Sequence, residues 1–150
     1  MLTIRRILVA TDFTETSERA LEFGIELARK FDAATTLVHA YQIPAMGFAD
    51  GGYIAGAEVA AQLATAAQNR LDATVESKKT AGVPMQAILR EGVAWEEINA
   101  VAKEVEGDLI VIGTHGRRGL ARALLGSVAE NVIRTSTIPV LVIHGPRDEK

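Results

Sequence analysis

The chain of 150 residues contains no cysteine. Disulfides, zinc–thiolate centres, iron–sulfur clusters and cysteine nucleophiles are thereby excluded, and the absence fits a reducing, cytoplasmic setting. An excess of basic charge is also missing: 16 Lys and Arg against 19 Asp and Glu leave a formal net charge of −3. That balance argues against a general nucleic-acid binder, whose affinity for phosphate backbones comes from surplus Lys and Arg. Long apolar runs are absent near the N-terminus, where Ile7-Leu-Val-Ala10 is soon followed by Asp12, too short for a signal sequence or a bilayer span. The expectation is a soluble, cytoplasmic protein with no membrane or nucleic-acid partner. No internal repeat, charge block or linker marks a second domain. A single domain over residues 1–150 can bury about 68–70% of its unfolded surface.

Short apolar runs alternate with longer stretches of helical period. Strands are expected at residues 4–10, 35–40, 85–89, 109–112 and 139–143, and helices at 17–31, 54–80, 95–105 and 128–134. Continuous runs such as Ile110-Val-Ile112 and Val140-Leu-Val-Ile143 suit strands covered on both faces, the mark of a parallel sheet with helices on each side. The fold class is therefore doubly wound α/β. Matching stripes, Ala20, Gly24, Leu27 and Phe31 on the first helix and Trp95, Ile98, Ala102 and Val105 on the third, are expected to be core. Trp95 is read as packing rather than as a ring for stacking a base. Residues 42–53 form a connection longer than the common range of about 2–6 residues, either a mobile insert or a lid.

The strand Leu109-Ile-Val-Ile-Gly113 opens into Thr-His-Gly116, then nine residues, then Gly126-Ser127 and a helix. Glycines let a backbone turn tightly and approach a ligand, and a helix start offers unpaired N–H groups and a positive dipole end to an anion. Ser127-Val-Ala-Glu130 fits a capping box that starts the helix near Ser127. Taken singly, each glycine can be a turn. The spaced set directly after a strand is longer than a plain connection requires, and points to ligand binding. Arg117, Arg118 and Arg122 lie between the glycines, either solvated or facing an anion.

Ligands in open parallel sheets bind outside the carboxyl ends of the strands, where strand order reverses. Those ends here are Ala10-Thr11-Asp12, His39-Ala40-Tyr41, Arg90-Glu91-Gly92 and Gly113 onward. Asp12 is the only carboxylate at the first strand's mouth; it can accept from a ribose or base, hold magnesium beside phosphates, or bond its own turn. A Rossmann site wants G-x-G-x-x-G after the first strand, where this chain has Thr11-Asp-Phe-Thr14, and the P-loop string G-x-x-x-x-G-K-[ST] does not occur. His39, His115 and His144 lack metal-ligand spacing and a third ligand, so a metal-hydrolase reading is disfavoured.

Taken together, Gly113-x2-Gly116-x9-Gly126-Ser127, Ile7-Leu-Val-Ala-Thr-Asp12-Phe13 and the closing Pro139-Val-Leu-Val142 resemble the universal stress protein family, in its ATP-binding branch. The resemblance spans nearly the whole chain, residues 42–61 excepted. It implies a five-stranded parallel sheet of order 3-2-1-4-5 with adenosine phosphates between the first and fourth strands. Carried over by position, Ala10, Thr11 and Asp12 would lie by the adenosine and the backbone of Ala40 by the base edge. Ile112, Gly113, Gly116, Gly126, Ser127 and Val128 would hold ribose and phosphates, with His115 and Arg117 inside the motif. The family further implies a homodimer through the last strand, residues 139–143, an apolar edge that would otherwise be an exposed pairing template.

ATP hydrolysis needs charge neutralisation at the γ-phosphate and a group that positions water. Asp12, Arg117 and His115 are only candidates for these parts, so hydrolysis is expected to be slow at best and no catalytic residue is assigned. Two function classes remain. One is an ATP-binding, nucleotide-responsive stress protein, with magnesium at Asp12 as an accessory, acting on a protein partner that the sequence does not identify. The other is a nucleotide-free dimeric adaptor of the same fold.

Overall fold

A computed structural model describes residues 1–43, 54–114 and 125–145. Its elements run β1 (Arg6–Ala10), α1 (Glu15–Phe31), β2 (Ala34–Tyr41), α2 (Ile54–Ser77), β3 (Met85–Glu91), α3 (Ala94–Glu104), β4 (Leu109–Gly113), α4 (Ser127–Thr135) and β5 (Val140–Ile143), with a 3-10 turn at Lys79–Ala81 before β3. All pairings are parallel, and the five strands lie in the order β3-β2-β1-β4-β5. This is the fold class expected from the sequence pattern and the strand order that the family resemblance implies.

Alternation along each strand divides the core into two layers. Ile7, Val9, Leu37 and Val111 point to one face, where Leu21 and Ile25 of α1 and Leu71 of α2 cover them. Leu8, Ala10, Val38, Ile110 and Ile112 point to the other, under Ile98, Val101 and Ala102 of α3 and Ala129 and Val132 of α4. Neither face of the central strands is wetted, which is why their sequences are continuous apolar runs rather than alternating ones. The first layer closes tightly at Gly24, where a Cβ would come within 2.6 Å of Val9 Cγ2. Glycine there lets α1 lie close on β1.

Helix α1 begins earlier than the apolar stripe indicates, because Thr14 caps it. The Thr14 hydroxyl accepts from the Ser17 N–H at 3.3 Å, and Glu15 and Glu18 complement the dipole in the first turn. It ends at Asp32 in the left-handed region, φ 54°. Phe31, expected in the core, is 45% exposed. A 17-residue helix is about 25 Å long, whereas the five residues of β1 span about 17 Å, so the stripe outruns the sheet at its C-terminal end. Trp95 packs against the α3/α4 layer, as expected.

The start of α4 also departs from expectation. The N-cap is Gly126, Ser127 is already the first helical residue, and among the described residues no side chain caps this end. The Glu130 carboxylate pairs instead with Arg134 one turn on, at 2.8 Å, so the capping box does not form. A serine one position inside the helix cannot reach the N–H that an N-cap hydroxyl reaches.

Candidate functional site

Strands β1 and β4 are neighbours, but β1 runs into a helix on one face of the sheet and β4 into a helix on the other. A cleft must open between their carboxyl ends. There the structure places a pocket with about 500 Å³ of empty space, part of it open to solvent.

The walls divide by chemistry. Ala10, Val38 and Ala40 from β1 and β2, Ala94 and Ile98 from α3, Ile112 from β4, and Val128 and Ala129 from α4 make an apolar slot. Thr11, Asp12, Thr14 and Ser17 form a polar rim along one side. Small side chains at Ala10, Ala40, Ala94 and Ala129 leave the slot open where larger residues would fill it.

The rim is a hydrogen-bonded turn. The Thr11 N–H extends the sheet by donating to the Val38 carbonyl at 2.9 Å. The Phe13 N–H donates to Thr11 Oγ1 at 3.0 Å. Asp12 Oδ1 accepts from the Thr14 N–H at 3.1 Å and from the Thr14 hydroxyl, a local loop bond of the Asx kind. Ser17 Oγ donates to the Thr14 carbonyl at 2.9 Å. Its one proton is thereby used, so in the 3.1 Å contact between the two hydroxyls Thr11 is the donor and Ser17 the acceptor.

Gly113 lines the pocket and also meets a packing demand. A Cβ there would lie 2.8 Å from Thr16 Cγ2 and 3.0 Å from the Thr16 carbonyl oxygen. The glycine lets the first turn of α1 sit against the end of β4, which closes the protein wall of the pocket.

Of the residues singled out in the sequence, Ala10, Thr11, Asp12, Ala40, Ile112, Gly113 and Val128 converge on this one pocket. Gly126 and Ser127 begin α4 immediately before Val128. His115, Gly116 and Arg117 lie outside the described residues, as do Arg118, Arg122 and residues 44–53 of the long connection. Thr14, Ser17, Val38, Ala94, Ile98 and Ala129 were not anticipated. Val38 was legible as the residue two before Ala40 on the same strand face, and Thr14 as a helix cap followed by Glu15. Ala94 and Ile98 needed knowledge of which face α3 covers.

Comparison with known proteins gives a consistent answer. The model of the universal stress protein family matches residues 3–144. The chain is 35% identical over 147 residues to universal stress protein MJ0531 of Methanocaldococcus jannaschii, covering 97% of this chain and 85% of that protein. The solved structure of MJ0577 from the same organism superposes with a TM-score of 0.84 at 29% identity, covering 97% of this chain and 99% of the other. A universal stress protein solved in complex with cAMP superposes with a TM-score of 0.67 at 26% identity, covering 95% and 98%.

Proposed function

The chain belongs to the universal stress protein family, and on that premise we propose that it binds an adenine nucleotide, ATP, in the pocket between β1 and β4 and acts as a nucleotide-responsive stress protein. The observation that carries this reading is the division of the pocket into an apolar slot of small side chains and a hydroxyl-and-carboxylate rim. A purine is flat and apolar on its faces, and a ribose presents hydroxyls. The complex of a relative with cAMP supports the same class of ligand.

In this reading the base lies in the slot beside Ala10, Ile112 and Val128, with its edge at the backbone of Ala40, and the ribose meets Thr11 and Asp12. The phosphates lie toward the start of α4. Gly126 brings no side chain to that helix end, so its first N–H groups and dipole are available to an anion. Gly113, Gly116, Ser127, His115 and Arg117 complete the proposed set. Asp12 is the carboxylate on the rim, and one carboxylate plus phosphate oxygens is a donor set that magnesium accepts. Among the described residues the pocket wall holds no Lys, Arg or His. Charge neutralisation at a γ-phosphate would rest on residues such as Arg117, so hydrolysis is slow at most.

The domain functions as one unit over residues 1–150, in the cytoplasm. Among the described residues strand β5 is paired only with β4, and its outer edge is a pairing template. We assign residues 139–143 to a homodimer interface, through which nucleotide state is passed to a protein partner. Among the described residues, no helix is long and apolar enough to cross a membrane.

Calorimetric titration of nucleotide-stripped protein with ATP, with and without magnesium, tests the assignment. Saturation at about one ATP per chain is expected. No heat and no thermal stabilisation up to millimolar ATP would remove the nucleotide and leave the adaptor reading. Sedimentation velocity tests the interface, and a monomer at all concentrations would refute it.

A further inference from the structure

We propose that His39 is a positioning residue for this pocket, holding the turn that carries Thr11 and Asp12, and that Arg70 ties the same turn to α2. The proposal rests on the nucleotide reading above, and three independent contacts carry it. First, His39 Nδ1 lies 2.7 Å from the Thr11 carbonyl oxygen. A carbonyl only accepts, so Nδ1 carries the proton and donates. Second, the His39 ring packs against Phe13, centroids 4.5 Å apart and planes tilted by 49°. Third, the Arg70 guanidinium carbon lies 4.3 Å from the Phe13 ring centroid, within cation–π range.

The held residue is one that needs holding. Phe13 has φ 62°, a left-handed conformation rarely adopted by a bulky side chain and kept only where surroundings over-determine it. Its neighbours on both sides, Thr11, Asp12 and Thr14, line the pocket. Loss of the clamp lets Phe13 relax toward ordinary φ, and the rim residues swing with it. The device also gives the pocket a mechanical link to α2, because Arg70 sits on that helix. A shift of α2 that withdraws Arg70 loosens the rim, and a nucleotide that fixes the rim holds α2 in place.

The test uses the full chain as His39→Ala and His39→Asn, the second keeping an amide donor where Nδ1 stands. Two quantities are measured: ATP affinity by calorimetry, and hydrogen exchange of the Phe13 and Thr14 amides in the nucleotide-free protein. Expected are an ATP affinity about threefold to tenfold weaker in His39→Ala, the worth of one hydrogen bond, faster exchange at both amides, and recovery to within about twofold of the original in His39→Asn. Arg70→Met, on an exposed position, serves if His39→Ala fails to fold, and is expected to weaken ATP about twofold. Unchanged exchange shows that His39 does not hold the turn. Faster exchange with unchanged ATP affinity shows that the turn's position does not govern binding. His39→Asn as weak as His39→Ala shows that the donor is irrelevant. Each overturns the proposal, whereas absence of ATP binding by the unsubstituted protein overturns the nucleotide reading and the proposal with it.

Discussion

Replacing Gly113 by alanine separates two roles that a motif glycine can play. The added Cβ would sit 2.8 Å from Thr16 Cγ2, 3.0 Å from the Thr16 carbonyl oxygen and 3.1 Å from its carbonyl carbon. Two of those atoms are backbone in the first turn of α1, so a rotamer change cannot relieve the clash. Overpacking of this kind costs about 1–3 kcal/mol. For a chain of 150 residues each kcal/mol moves the melting temperature by about 2–4 °C, so a loss near 2 kcal/mol lowers it by roughly 4–8 °C. The displaced turn contains Thr14 and leads into Ser17, both on the rim, and ATP affinity falls as well. Adding Thr16→Ser removes the methyl at 2.8 Å but leaves the carbonyl contact. The double variant is therefore expected to show favourable coupling of about 1 kcal/mol in a double-mutant cycle. Thermal unfolding by circular dichroism reads both. A Gly113→Ala protein that melts within about 1 °C of the original yet no longer binds ATP would refute the packing account and restore ligand approach as the reason for the glycine.

Ala94→Leu places bulk on the pocket wall at the first residue of α3, where leucine is a good helix former. ATP affinity should fall at least about tenfold with little change in melting temperature, and an unchanged calorimetric affinity would move the ligand elsewhere. Leu71 of α2 is fully buried against the sheet, so Leu71→Ala should cost about 2–5 kcal/mol in denaturant unfolding; a loss below about 1 kcal/mol would show α2 not to be packed on the sheet as described. Asp108 Oδ2 accepts from the Arg5 and Arg6 N–H groups at 2.7 and 3.0 Å, fastening the start of β1 to the residue before β4. Asp108→Ala should cost about 1–2 kcal/mol, with Asp108→Asn, which keeps one acceptor oxygen, recovering part of it. Equal losses in the two would mean that the carboxylate acts through charge alone.

Much of this architecture was legible in the chain because it is written in local period. Ile110-Val-Ile112 reads as a strand buried on both faces, and the structure covers it with α1 on one side and α3 and α4 on the other. The elements and their order follow from such runs. The 3-2-1-4-5 strand order rested instead on the resemblance to the universal stress protein family, and the pairings agree with it. The same family pattern named Ala10, Thr11, Asp12, Ala40, Ile112, Gly113 and Val128, which meet at one cleft.

Other features depend on residues far apart in sequence, and no local pattern announces them. Gly113 is glycine because Thr16, nearly a hundred positions earlier, occupies the space beside it. Phe13 can keep a left-handed φ because His39 and Arg70, from β2 and α2, close around it. Ser127 fits a capping motif yet lies one residue inside its helix, because Gly126 takes the cap. Periodicity reports which face of an element meets apolar surroundings, and that is a property of neighbouring residues. Close approach, strain and the polarity of a pocket wall are set by which elements the topology brings together, and those appear only when the chain is folded.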